Sequence, residues 1–182
     1  MKIYYQGFPG AYSHLAALEI NPDAEIISCK TFDECFAKAE EDSNVNIIIP
    51  ESNRITGNIG IEYLIFKHRL NIYAEHFHKI EHNLLGIPGS KIGDIKNVYS
   101  HQQALSQCSL FIKNNNIIEN VRADTAGSAE LISKEKNKSK AAIASKLSAE
   151  IYKLDILGTN IENEKGNATR FLIMGKSISQ PK

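Results

Sequence analysis

Asn71-Ile72-Tyr73-Ala74-Glu75-His76-Phe77-His78-Lys79-Ile80-Glu81-His82-Asn83-Leu84-Leu85-Gly86-Ile87 is the stretch that divides this chain. Asn71–Phe77 and His82–Ile87 both read as strands, and no helix fits between them. On either side, short apolar runs alternate with helical patterns, the grammar of βαβ units whose parallel strands are covered by helices on both faces. A break in that alternation is where a chain leaves one sheet and begins another. The expectation is therefore an α/β protein of two lobes. Residues 1–75 with 155–182 form a discontinuous first lobe, and residues 76–154 form the second. A cleft between lobes is the expected site, because pockets favour domain interfaces and the carboxyl ends of parallel strands.

Upstream of the break, Lys2–Gln6, Glu25–Ser28 and Val45–Ile49 are expected as strands. The last is a continuous apolar run ending at Pro50, which suits a sheet covered on both faces. Ser13 stands as an N-cap before His14–Ile20. Thr31 and Glu34 have capping-box spacing ahead of Cys35, Phe36 and Ala39, and a further helix is expected from Ile59 to about Lys67. Downstream, strands are expected at Asn97–Tyr99, Asn120–Arg122, Lys140–Ile143 and Phe171–Met174. Helices fit between them at Gln102–Lys113, Ala126–Ser133 and Lys146–Tyr152, the last two capped by Thr125 and Ser145.

At 182 residues and 42% hydrophobic content the chain can bury a core without disulfide or metal staples. Twenty-one basic residues balance twenty-one acidic ones. That balance removes the counterion-release argument for nucleic acid and the net-charge argument for anionic membranes. No run approaches the roughly 18–20 apolar residues of a membrane span, and the apolar stretch after Lys2 is too short for a signal peptide. Cys29, Cys35 and Cys108 are odd in number and lack C-x-x-C spacing, which excludes a disulfide framework and a four-Cys zinc site. The expected location is the cytoplasm.

Polar residues gather just past the expected strands, at Gly7–Ser13, Pro50–Gly57, Ser100-His101, Asp124-Thr125 and Ser145, while Asn167-Ala168-Thr169-Arg170 precedes the last strand. Several segments lead into helices, where free backbone N–H groups and the positive dipole end favour a carboxylate or phosphate. Ordinary helix capping explains any one segment, but Asn53, Arg54, Thr169 and Arg170 cap no helix that can be drawn. Gly7-x-x-Gly10 and Gly57-x-x-Gly60 match neither a dinucleotide fingerprint nor a P-loop. His76, His78 and His82, with Glu75 and Glu81, have the residue types of a metal cluster. With the strand ending at Phe77, however, His78 falls at a turn and His82 on the next strand, so the group reads as surface histidines at a strand end. Cys108 reads as a small core residue. Ser100-His101 are adjacent, and neighbouring residues rarely present both side chains to one point, so no triad is expected.

Taken together and in order, these segments resemble the catalytic domain of prephenate dehydratase, over nearly the whole chain. The resemblance rests on Gln6-Gly7-Phe8-Pro9-Gly10-Ala11-Tyr12-Ser13-His14, Ser100-His101-Gln102-Gln103-Ala104-Leu105-Ser106-Gln107-Cys108, Asp124-Thr125-Ala126, Ala141–Ser145 and Asn167-Ala168-Thr169-Arg170-Phe171. It implies two α/β lobes like a type II periplasmic binding protein, with the substrate in the cleft between them. It also implies a decarboxylating 1,4-elimination that turns prephenate into phenylpyruvate, carbon dioxide and water in phenylalanine biosynthesis, a lyase reaction with no cofactor and no metal. Thr169 is the implied donor to the departing hydroxyl. Ser13, Asn53, Arg54, Ser100, Thr125, Asn167, Arg170 and Phe171 are the implied substrate contacts, with Arg170 and helix dipoles supporting Thr169.

Two departures bear on this expectation. The family pattern P-I-E-N-S-x-x-G stands here as Pro50-Glu51-Ser52-Asn53-Arg54-Ile55-Thr56-Gly57, so serine occupies the acidic position and Arg54 a hydroxyl position. Arg54 would grip a substrate carboxylate and disfavour the ammonium of arogenate, the nearest alternative substrate. A two-lobed module that binds a carboxylate without converting it is the alternative of another class. The first motif also carries Phe8 and Ala11 for the usual proline and threonine. The second departure is length: only Gly175–Lys182 follows the last expected strand, so no phenylalanine-binding ACT domain is expected. A homodimer would then form through the catalytic lobes.

Overall fold

The computed structural model describes residues 1–176. It resolves into two compact units, one built from Met1–Phe8, Tyr12–Lys79 and, among the described residues, 167–176, the other from Pro9–Ala11 and Ile80–Gly166. The chain leaves the first unit after Lys79, between the two strands that follow one another without a helix.

The first unit carries a mixed sheet. Its strands are β1 (Lys2–Gln6), β2 (Glu25–Cys29), β3 (Val45–Asn53), the short β4 (Gly57–Asn58), β5 (Asn71–Lys79) and the last strand of the chain, β11 (Ala168–Gly175). The order is β2-β1-β3-β11-β5, with β4 on the end of β3. β1 is parallel to β2 and β3, whereas β11 runs antiparallel to both β3 and β5. The expectation of parallel units thus holds for the first three strands only. β11 enters from the far end of the sequence, and no crossover helix constrains its direction.

Val45, Ile47, Ile48 and Ile49 are all fully or nearly fully buried, as the unbroken apolar run requires of a central strand. Ile47 and Ile49 pack with Cys35, Phe36 and Ala39 of α2 (Phe32–Glu41), and α1 (Tyr12–Ile20) packs against β1, β3 and β5. Thr31 caps α2 through Oγ1, which accepts from the Glu34 N–H at 3.2 Å; the Glu34 carboxylate closes back on the Lys30 N–H at 2.7 Å, one residue earlier than a capping box predicts. Helix α3 begins at Glu62 and ends at His68.

Pro50 sits inside this central strand, where a missing N–H should break the ladder. The register shows how it is accommodated: Arg170 pairs with Ser52 and Phe171 with Pro50, so Glu51 is an extra residue on β3. The bulge absorbs the proline and turns the strand end, Ser52-Asn53, into a short hairpin with β4.

The second unit also holds a mixed sheet, in the order β10-β6-β9-β7-β8. The strands are β6 (Asn83–Gly86), β7 (Asn97–His101), β8 (Ile118–Arg122), β9 (Lys140–Ala144) and β10 (Asp155–Gly158). β10 was not expected. It pairs antiparallel with β6, which places residues 155–166 in this unit rather than in the first lobe. Two-residue alternation splits the core cleanly. Leu84, Val98, Ala141 and Ile143 face α4 (Gln102–Gln107) and α5 (Ser109–Asn114); Leu85, Tyr99, Ala142 and Ala144 face α6 (Thr125–Glu135) and α7 (Lys146–Tyr152).

The single helix expected over Gln102–Lys113 is two helices broken at Cys108. Asn163 holds the break from both sides: its Nδ2 donates to the Ser106 carbonyl at 3.2 Å and to Ser109 Oγ at 2.9 Å, and its Oδ1 accepts from the Leu110 N–H at 3.0 Å. Thr125 is the first residue of α6 rather than its cap. Asp124 takes that place, accepting from the Gly127 N–H, whereas Ser145 caps α7 as expected, accepting from the Ser148 N–H at 3.1 Å. Ser13 likewise lies inside α1 and is buried.

Candidate active site

The hairpin that follows the Glu51 bulge carries Asn53 to the edge of β11. Its side chain is fixed on both ends. Oδ1 accepts from the Ile55 N–H at 3.0 Å and the Thr56 N–H at 3.2 Å, an Asx-type turn closing the hairpin. Nδ2 then has one direction left, and it donates to Thr169 Oγ1 at 2.9 Å and to the Ala168 carbonyl at 3.3 Å. The backbone N–H groups can only donate, so the amide cannot be flipped without losing its contacts. The consequence falls on Thr169. Its oxygen is already accepting, so its own hydrogen is left to donate outward. Among the described residues none accepts it.

Thr169 is 7% exposed and pairs in register with Asn53 on one side and His78 on the other. Paired residues of an antiparallel ladder project to the same face, with Cβ atoms about 5 Å apart. Asn53, Thr169 and His78 are therefore one row across β3, β11 and β5. Arg170 alternates to the opposite face. There its Nε and Nη2 donate to Glu75 Oε2 at 2.7 Å and its Nη1 reaches Glu51 Oε2 at 3.4 Å, while Ser52 Oγ donates to the same Glu51 oxygen at 2.6 Å. In the structure the Arg170 guanidinium meets two carboxylates of the chain itself. Glu75 is the closer partner, and Ser52, which stands at the acidic position of the family pattern, bonds Glu51 and not Arg170 itself. Arg54 lies at the exposed tip of the hairpin, its N–H donating to the Ala168 carbonyl at 2.9 Å.

The remaining sequence-derived residues are placed differently. Phe171 is 1% exposed and belongs to the interior of the first unit, and Asn167 is buried at the entry to β11. In the second unit Ser100 is fully buried and spends its hydroxyl hydrogen on the Ile143 carbonyl at 2.6 Å, so it is a sheet tie rather than a surface contact. Thr125 is half-buried in the first turn of α6. Ser145 and Ser148 both donate to the Gly10 carbonyl, at 2.5 and 3.0 Å.

The histidines part company. His82 belongs to the second unit, where its Nε2 meets Gln107 Oε1 at 2.8 Å and burial holds its pKa below the ordinary value. His76 and His78 stay on β5, because that strand runs to Lys79 instead of ending at Phe77. Both reach Glu19 of α1, through His76 Nε2 at 2.7 Å and His78 Nδ1 at 2.9 Å. Burial pushes the Glu19 carboxyl up, but the two imidazoles outweigh it and leave the group below its usual range. The expected carboxylate partners, Glu75 and Glu81, are not in this group.

The model of the family described as prephenate dehydratase matches residues 3–179. The chain belongs to the prephenate dehydratase family. Among curated relatives of this family member, an Arabidopsis thaliana chloroplastic arogenate dehydratase/prephenate dehydratase is 40% identical over 183 residues, covering 100% of this chain and 47% of the relative. The chain thus spans about half the length of the curated relatives it matches. Among solved structures, a quorum-quenching acylase superposes with a TM-score of 0.91 at 34% identity, covering 100% of this chain and 66% of the other. The Staphylococcus aureus prephenate dehydratase superposes with a TM-score of 0.81 at 27% identity, covering 98% and 68%. Among the described residues no helix is long and apolar enough to cross a membrane.

Proposed function

We propose that this prephenate dehydratase-family domain catalyses the decarboxylating 1,4-elimination of prephenate, with Thr169 as the hydrogen-bond donor to the leaving hydroxyl. The observation that carries the reading is the Asn53 Nδ2–Thr169 Oγ1 bond of 2.9 Å, in an amide whose other end is pinned by two backbone N–H groups. In the reaction the ring C–CO2− bond breaks and its electron pair enters the ring. The ring becomes aromatic as the C–OH bond breaks, and the departing oxygen carries the displaced charge. Thr169 offers its hydrogen where that charge develops, and Asn53 stabilises the partial charge that moves onto Oγ1. A threonine hydroxyl is too weak an acid to surrender its proton outright, so the proton that completes water comes from solvent. Arg170, held by Glu75 and Glu51, keeps the β3 and β11 ends in register around Thr169 and does not grip the substrate.

The acylase among the structural relatives raises acyl transfer as another chemistry. The serines and cysteines just described do not favour it: Ser100, Ser145 and Ser148 donate to backbone carbonyls, and burial pushes the thiols of Cys29, Cys35 and Cys108 upward. Those unpaired thiols also support a reducing compartment, the cytoplasm in this reading.

The test is the ultraviolet absorbance of phenylpyruvate formed from prephenate, with arogenate in parallel and a metal chelator present. The wild-type chain is expected to turn over prephenate. Thr169→Ala should lose about 10²–10³ in kcat with KM little changed, and Thr169→Ser should keep most of it. Undiminished turnover by Thr169→Ala would remove Thr169 from its role. Absence of turnover by folded wild-type protein, with saturable prephenate binding, would leave a carboxylate-binding module in place of the enzyme.

A further inference from the structure

Glu19, His76 and His78 form a group of potential metal ligands that the elimination does not use. His76 and His78 are two residues apart on β5, an edge strand of its sheet, and therefore project to the same face. Glu19 comes down onto them from the last turn of α1. His76 Nε2 and His78 Nδ1 lie 2.7 and 2.9 Å from the same Glu19 oxygen, and all three ligand atoms lie within 4.8 Å of one another. The His78 ring is 9% exposed, the His76 ring 27% and the Glu19 side chain 46%. The cluster is thus walled by protein at His78 and open to water at Glu19.

We propose that these three residues bind a late first-row divalent cation such as Zn2+ or Co2+, with the open side occupied by water. Two imidazoles and one carboxylate suit this class of ion; Ca2+ and Mg2+ prefer oxygen-only shells of six or more ligands. Three protein ligands with one position left for water is also the donor count of open zinc sites. Binding asks for two adjustments, a lengthening of the Glu19 contacts and a closing of the His76 Nε2–His78 Nδ1 pair, which lies within 4.8 Å, toward the edge of a tetrahedron. Around a tetrahedral ion with bonds of about 2.0–2.2 Å, ligand atoms sit roughly 3.3 Å apart. The two Glu19 contacts would therefore lengthen by about half an ångström, within reach of rotation about the Glu19 side-chain bonds. The strand supplies the rest: alternation fixes His76 and His78 side by side, and the neighbouring ladder residues Phe171 and Thr169 hold β5 in place. The site stands on these contacts alone and is independent of the reaction proposed for Thr169.

The experiment is a Co2+ titration of the full chain, without a polyhistidine tag, followed by visible absorption and by calorimetry. The expected result is one ion per chain, with the intense d–d bands of four- or five-coordinate Co2+ displaced by stoichiometric Zn2+. His76→Gln, His78→Gln and Glu19→Gln should each weaken binding by about tenfold or more. His68→Gln should leave it unchanged, since His68 forms an equally close pair with a single carboxylate, Glu40, at 2.6 Å. Circular dichroism checks each variant. Should the buried His78→Gln fail to fold, the more exposed His76→Gln and Glu19→Gln decide the matter. Binding below one equivalent, a weak octahedral spectrum, or affinities unmoved by His76→Gln and Glu19→Gln would overturn the site.

Discussion

Asn53 does two jobs with one amide, and a single-atom change separates them. Asn53→Asp keeps an oxygen for the Ile55 and Thr56 N–H groups, so the hairpin turn should survive. The second oxygen then faces Thr169 Oγ1 and can only accept, so it draws the Thr169 hydrogen away from the substrate and removes the donor that steadies Oγ1. Steady-state kinetics should show kcat falling about 10²-fold, with a thermal midpoint within about 2 °C of wild type. Asn53→Ala should lose the turn as well and cost roughly 1–2 kcal/mol in denaturant unfolding. Full activity in Asn53→Asp would mean that the amide holds the hairpin and nothing more. At this scale the sequence was half legible. Asn53, Arg54, Thr169 and Arg170 stood out because they cap no helix; the structure joins Asn53 to Thr169 across β3 and β11 and puts Arg170 on the opposite face. What local pattern could not show was that Arg170 would be held by Glu75, its partner 95 residues away across a strand pair whose register only the folded sheet defines.

Gly10 shows what an element end asks of one position. Its φ is +91°, and its carbonyl receives hydrogen bonds from both Ser145 and Ser148 at the start of α7. A Cβ there would lie 2.5 Å from Ser148 Oγ and 2.8 Å from the Ser148 backbone, so Gly10→Ala combines left-handed strain with a clash that cannot be relieved by a side-chain rotation alone. We expect a loss of about 2 kcal/mol or more, seen as a fall of about 4–8 °C in the thermal midpoint. Gly93→Ala is the matched control, since nothing lies within 4 Å of its Cβ position, and its midpoint should stay within about 1 °C. Equal midpoints for the two variants would mean that the Pro9–Ala11 segment does not need its seat on α7. The strands and helices with strong periodicity were legible because burial on one or both faces writes itself into the spacing of apolar residues. Three features were not. β10 is too short and too little alternating to announce itself, the break at Cys108 is made by Asn163 from a distant loop, and β5 runs on to Lys79 because β11 pairs with it to the end. That last extension changed the meaning of His78 from a turn residue to a ladder neighbour of Thr169.

Across the whole molecule formal charges cancel, and two histidines, His82 buried and His14 half-buried, tie protonation to folding near neutral pH. His82 and His14, one in each unit, both have pKa values held below 6.5 by burial. The sign follows from which state takes the proton first. In the unfolded chain each imidazole charges as the pH falls through about 6.5, whereas in the folded chain charging is delayed to lower pH. The unfolded state therefore binds more protons in that window, and stability declines from pH 6.5 down to the folded-state pKa of each group, with no further change from these groups below it. His82 is the deeper of the two, and its ring bond to Gln107 and the nearby Glu162 only partly offset the cost of charging it. Urea midpoints at about pH 7.5 and about pH 5.5 should differ for the wild type, with the lower value in acid. His82→Gln, which keeps a polar group of similar reach to Gln107, should shrink that difference, and His14→Gln added to it should shrink it further. A difference unchanged in His82→Gln would mean that the acid sensitivity in this window does not come from the buried imidazole.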